Sequence, residues 1–184
     1  MQRQMKRIFL VGYSGAGKTT LGRAFARQYG LSFIDLDWYI EQRFHKTIAQ
    51  LFNDRGETGF REAEKRMLHE VAEFEDVLVS CGGGTPCFSD NMDYMNSMGI
   101  TVFLDSSFDT LFRRIKLDRS GRPLLQGMDD AGLAEAIKES LGQRRPVYEK
   151  AKLKIDSDYL ENKKQISDCV LKLENMILNY TIKQ

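Results

Sequence analysis

A chain of 184 residues is about the size of one domain, with a single core and room for one cleft. Lys and Arg number 27 against 26 Asp and Glu, so no basic excess points to nucleic acid as the main partner. Three cysteines, Cys81, Cys87 and Cys169, fit no metal spacing and read as free thiols in a reducing cytoplasm. The apolar run 8–11 behind a basic stretch is too short for a signal peptide or a membrane span.

Helical and strand-like stretches alternate from end to end, the pattern of an α/β protein with a parallel sheet. Residues 7–12 predict a first strand, followed by a glycine-rich turn and a helix over 19–29 that Gly30 closes. A second strand is expected over 31–36, then helices over 38–44, 48–53 and 58–74. The apolar face of the last is read as Phe60, Ala63, Met67, Val71 and Phe74. Residues 76–80 predict a buried strand running into Gly82-Gly83-Gly84. A helix over 90–98 and a strand over 100–104 follow. Ser106 with Asp109 reads as a capping box for a helix over 108–116. The stretch 117–129, basic and turn-rich, is the candidate mobile segment. A helix over 130–145 is expected to stop at Pro146, ahead of a strand over 153–155 and a last helix marked by Ile166 through Tyr180. Five short strands with helical crossovers make a three-layer α/β/α sandwich, whose carboxyl-end loops share one edge. No apolar helix is left over, so a monomer is expected.

Three unusual stretches fall on that edge. Gly12-Tyr13-Ser14-Gly15-Ala16-Gly17-Lys18-Thr19 fits G-x-x-x-x-G-K-[ST] between a strand and a helix. Such a loop wraps a phosphate chain with main-chain N–H groups and aims a helix N-terminus at it. Lys18 would bridge the outer phosphates, and the Thr19 hydroxyl would ligate Mg²⁺. Asp35 and Asp37 flank Leu36 at the end of the second strand, where alternation would turn both carboxylates into one cleft. Asp35 suits Mg²⁺ through water, and Asp37 could take a proton from a substrate hydroxyl. Arg61 and Glu64, three apart on a helix, can pair and fix a guanidinium fork for a carboxylate. The triple glycine allows close approach of a ligand to the main chain. Arg122, in the mobile segment, could stabilise a transferring phosphoryl group. Cys81 is no candidate nucleophile, because His45 and His69 fit no triad or metal spacing.

The ordered set G-x-x-G-x-G-K-T, D-x-D, F-R-x-x-E, G-G-G, R-P-L-L and R-x-P-x-Y, from Gly12 to Tyr148, resembles the shikimate kinase family. The resemblance implies a P-loop, nucleoside monophosphate kinase-like fold with strand order 2-3-1-4-5, in one kinase domain over 1–184. Helices in about 36–74 would bind shikimate, and about 117–129 would form a lid. It implies transfer of the γ-phosphate of ATP to the 3-hydroxyl of shikimate, with Mg²⁺, in aromatic amino-acid biosynthesis. Carried over by position, Asp37 holds the shikimate hydroxyls and acts as base, while Arg61 and Arg144 clamp its carboxylate. The neighbouring Arg145 is separated from Arg144 only by its distance to Pro146. Gly83 and Gly84 line the ring, and Phe52 and Phe60 form apolar walls. Lys18 and Arg122 serve the phosphates with the loop Gly12, Ser14, Gly15, Ala16, Gly17, Thr19 and Thr20. Asp35 and Thr19 serve Mg²⁺, and Arg114 packs on adenine. A gluconate or adenylate kinase relative, or a nucleotide-binding regulatory module, are the competing readings; an adenylate acceptor would need a base pocket and more lid arginines.

Overall fold

The computed structural model describes residues 7–117 and 127–183, so Arg122 and most of the expected lid lie outside the described residues. Five parallel strands run in the order β2-β3-β1-β4-β5: β1 (Arg7–Val11), β2 (Ser32–Asp35), β3 (Val77–Ser80), β4 (Ile100–Asp105) and β5 (Leu153–Asp156). The middle strands are apolar on both faces, as a sheet covered by helices requires. Ile8, Phe9, Leu10 and Val11 of β1, and all of β3, are buried.

Among the described residues seven helices flank the sheet: α1 (Lys18–Tyr29), α2 (Leu36–Phe44), α3 (Ile48–Ala72), α4 (Asn91–Met98), α5 (Phe108–Leu117), α6 (Asp130–Tyr148) and α7 (Lys163–Ile182), with a 3₁₀ turn over Thr85–Cys87. None among the described residues is long and apolar enough to cross a membrane.

Several boundaries differ from the sequence expectation. The second strand ends at Asp35, and Leu36 already belongs to α2. Helices expected over 48–53 and 58–74 are one element kinked at Gly56, whose φ of 66° and ψ of 179° a side chain would resist. The inward stripe of α3 is Phe60, Ala63, Glu64, Leu68 and Val71, while Phe74 lies past the helix end and is exposed. The cap of α5 is Ser107, whose Oγ accepts from the Thr110 amide; Ser106 instead shares a hydrogen bond with Ser157. Pro146 does not stop α6, which runs on to Tyr148. Proline cannot donate the hydrogen bond to the carbonyl four residues back, yet the helix continues for two residues past it.

Candidate active site

A groove of about 480 Å³ opens at the carboxyl ends of β1, β2 and β3. Ser14, Gly15, Gly17, Lys18, Thr19 and Thr20 line one side, and Asp35, Asp37, Gly82 and Gly83 the other. Lys18 Nζ donates to the carbonyls of Gly12 and Tyr13 at 2.8 and 2.9 Å, which arches its buried side chain over the loop. The buried Ala16 closes the turn, its amide bonded to the Tyr13 carbonyl.

Asp35 and Asp37 meet in the groove, though not by strand alternation. Asp35 ends β2 and precedes α2, while Asp37 sits in the first turn of that helix. Thr19 Oγ1 donates to Asp35 Oδ2 at 2.8 Å. Burial raises the Asp37 carboxyl to about 6, helped by Asp35 and Glu64 and opposed by Lys18.

The glycine run ties the groove to two arginines. A Cβ on Gly82 would lie 2.7 Å from Asp37 Oδ1, one on Gly83 would lie 3.7 Å from Arg144 Nη1, and one on Gly84 would lie 2.5 Å from Arg61 Nη2. Three consecutive residues therefore pass a carboxylate and two guanidinium groups, and a side chain at Gly82 or Gly84 would have to displace the charged tip it meets. Arg61 Nη1 donates to Glu64 Oε2 at 2.7 Å, the pair expected from their spacing. Phe52 and Phe60 stack at 4.2 Å beside it, with the guanidinium carbon 5.8 and 5.3 Å from their centroids.

The two adjacent arginines of α6 separate cleanly. Arg145 turns to β4 and forms a bidentate pair with Asp105 at 2.9 and 2.7 Å. Arg144 turns to the groove, over the Tyr13 ring. Arg114 reaches the back of the phosphate loop, donating to the Gly15, Ser157 and Asp158 carbonyls and to Glu161. It lines the groove with Leu160 and Glu161.

Matching to known proteins agrees with this geometry. The shikimate kinase family model matches residues 14–174. The chain belongs to the shikimate kinase family. It is 61% identical to a shikimate kinase of Phocaeicola vulgatus over 90% of this chain and 95% of that one. A crystal structure of shikimate kinase from Bacteroides thetaiotaomicron superposes with a TM-score of 0.91 at 55% identity, covering 93% of this chain and 97% of that one. The Acinetobacter baumannii shikimate kinase, solved in complex with shikimate, gives 0.83 at 32% identity, over 95% and 94%. The chain is therefore a kinase, and the rival regulatory-module reading falls.

Of the residues expected from the resemblance, Ser14, Gly15, Gly17, Lys18, Thr19, Thr20, Asp35, Asp37, Gly83 and Arg114 line the groove, Arg144 and Arg61 approach it only through Gly83 and Gly84, Arg61 lines a second pocket of about 310 Å³ with Phe88, and Arg122 lies outside the described residues. Sequence reasoning missed Phe88, whose ring centroid is 4.0 Å from the Arg61 guanidinium, and Glu161. It also gave Tyr148 no task, although the R-x-P-x-Y motif contains it: its hydroxyl donates to the Gly83 carbonyl at 2.5 Å.

Proposed function

We propose that the chain transfers the γ-phosphoryl group of ATP to the 3-hydroxyl of shikimate, with Asp37 as the base and Arg61 and Arg144 as the carboxylate clamp. The observation that carries this is the glycine run, which passes Asp37, Arg144 and Arg61 in turn while facing the phosphate loop. A hydroxylated carboxylic acid needs one anionic acceptor for its hydroxyls and cations for its carboxylate, and these side chains supply both.

In this reading Lys18 and the loop amides hold the β- and γ-phosphates. Asp37 accepts the proton as the 3-oxygen attacks the γ-phosphorus, the bond to the β–γ bridging oxygen breaks, and ADP leaves. Arg122 is assigned to the charge of the transferring group. Arg114, fixed beside Glu161 and the loop after β5, borders the adenine. The hydroxyl of Thr19 and the carboxylate of Asp35 are hard oxygen donors held together, which fits Mg²⁺. Among the described residues no group of three acidic, His or Cys side chains could enclose a metal, so phosphate oxygens and water would complete its shell. When bound, Mg²⁺ neutralises charge on the phosphates. Free thiols on Cys81, Cys87 and Cys169 fit a reducing cytoplasm.

A coupled assay offering shikimate, gluconate and AMP tests the substrate. ADP formation is expected only with shikimate, and turnover of gluconate or AMP without shikimate turnover would reject the assignment. Lys18→Ala should lower turnover at least about 100-fold in a folded protein.

A further inference from the structure

We infer that Thr85 and Asn91 are positioning residues for the acceptor, acting through Glu64 on the Arg61 fork. This rests on the assignment of Arg61 to the shikimate carboxylate. Glu64 uses one carboxylate oxygen for Arg61 Nη1, at 2.7 Å. The other, Oε1, accepts from Thr85 Oγ1 at 2.6 Å, and the Thr85 carbonyl accepts from Asn91 Nδ2 at 2.8 Å. Glu64 is 1% exposed, and Thr85 and Asn91 are fully buried.

The Thr85 hydroxyl therefore decides how Glu64 meets the arginine. Held on both sides, the carboxylate engages Nη1 alone, and the guanidinium lies against Gly84 with Nη2 nearest. Without that hydroxyl, Oε1 would be a buried charged oxygen lacking its partner. The nearest remedy is to turn both oxygens onto the guanidinium, which would spend the donors the ligand needs. The same turn also places Phe88 against the fork at 4.0 Å. The cluster leaves Asn91 Oδ1 buried without a hydrogen-bond partner, and Arg61 Nε with only an ion pair to Glu57 at 3.9 Å. Neither Thr85 nor Asn91 carries a motif signature: Thr85 meets Glu64, and Asn91 meets the Thr85 carbonyl, only because the 3₁₀ turn packs against α3.

The test is steady-state kinetics with shikimate varied at saturating ATP, and the reverse, on Thr85→Val, Thr85→Ser and Arg61→Ala, with melting temperatures alongside. Thr85→Val should raise the shikimate KM about 10-fold while kcat and the ATP KM stay unchanged, and Thr85→Ser should restore it. If the valine variant does not fold, Thr85→Ala removes the same donor and gives the same readout. An unchanged shikimate KM in the folded variant, or an equal rise in the ATP KM, would overturn the positioning role while Arg61→Ala still raised the shikimate KM. Should Arg61→Ala leave that KM unchanged, the clamp itself fails and the inference falls with it.

Discussion

Burial, Asp35 and Glu64 together lift the Asp37 carboxyl to about 6 against the pull of Lys18. An ordinary carboxyl in the unfolded chain sits at 3.8. Between those values the folded protein keeps a proton that the unfolded chain has lost. The contribution of Asp37 to stability therefore falls as pH rises through that window, and above it the charged group is a net cost. Asp37→Asn should raise the melting temperature at neutral pH while lowering turnover at least about 100-fold. As the base, Asp37 should also give kcat/KM an acid limb near pH 6 in the free enzyme. A folded Asp37→Asn variant with near-normal turnover, or a profile flat down to pH 5, would remove Asp37 from proton transfer. At this scale the phosphate loop was legible because G-x-x-x-x-G-K-[ST] spells a backbone path as well as a chemistry. Thr85, Phe88 and Asn91 were not, because the first two fall between the glycine run and the helix expected over 90–98, the third in that helix's first turn, and nothing in the sequence names a partner on α3.

The last turns of α6 and the first turn of α2 show how elements aim these side chains. In α6, consecutive residues point about 100° apart, so Arg144 and Arg145 cannot share a target. Arg145 is claimed by Asp105, whose carboxyl, though burial pushes it up, is held below its usual value by Arg145 and Lys154. Arg144→Ala should then raise the shikimate KM about 10-fold with little change in melting temperature. Arg145→Ala should do the reverse, costing about 1 kcal/mol of stability with the shikimate KM unchanged. Acceptor kinetics and thermal melts on the pair separate them, and a KM effect confined to Arg145→Ala would reverse the assignment. Spacing from Pro146 already favoured Arg144, but the reason lies in the sheet: Asp105 ends β4 beside α6, a neighbour that sequence order alone does not reveal. Likewise the Asp35/Asp37 pair was recognised through the wrong geometry. Strand alternation was invoked, yet the strand stops at Asp35 and a helical turn brings Asp37 round.

For the molecule as a whole, the strands were readable one by one as short apolar runs, but their order was not. Five such runs of similar composition can be wound in several ways, and the order came from family resemblance alone. That order puts β1 between β3 and β4, so the phosphate loop after β1 and the glycine run after β3 become neighbours across one groove. Two half-sites on one rigid sheet should bind their ligands separably. A ligand at 100 times its Kd stabilises the folded state by about 2.7 kcal/mol, which for a domain of this size is a rise of about 5–10 °C in melting temperature. ADP and shikimate should each produce such a shift in the parent protein. Lys18→Ala should abolish the ADP shift and keep the shikimate shift, because the Lys18 ammonium is held against the carbonyls of its own phosphate loop on the nucleotide side. Arg61→Ala should keep the ADP shift and abolish the shikimate shift, because its partners are Glu64 and the turn after β3. Loss of both shifts in both folded variants would mean that the groove is not two facing half-sites, and the division of labour between the phosphate loop and the arginine clamp would have to be abandoned.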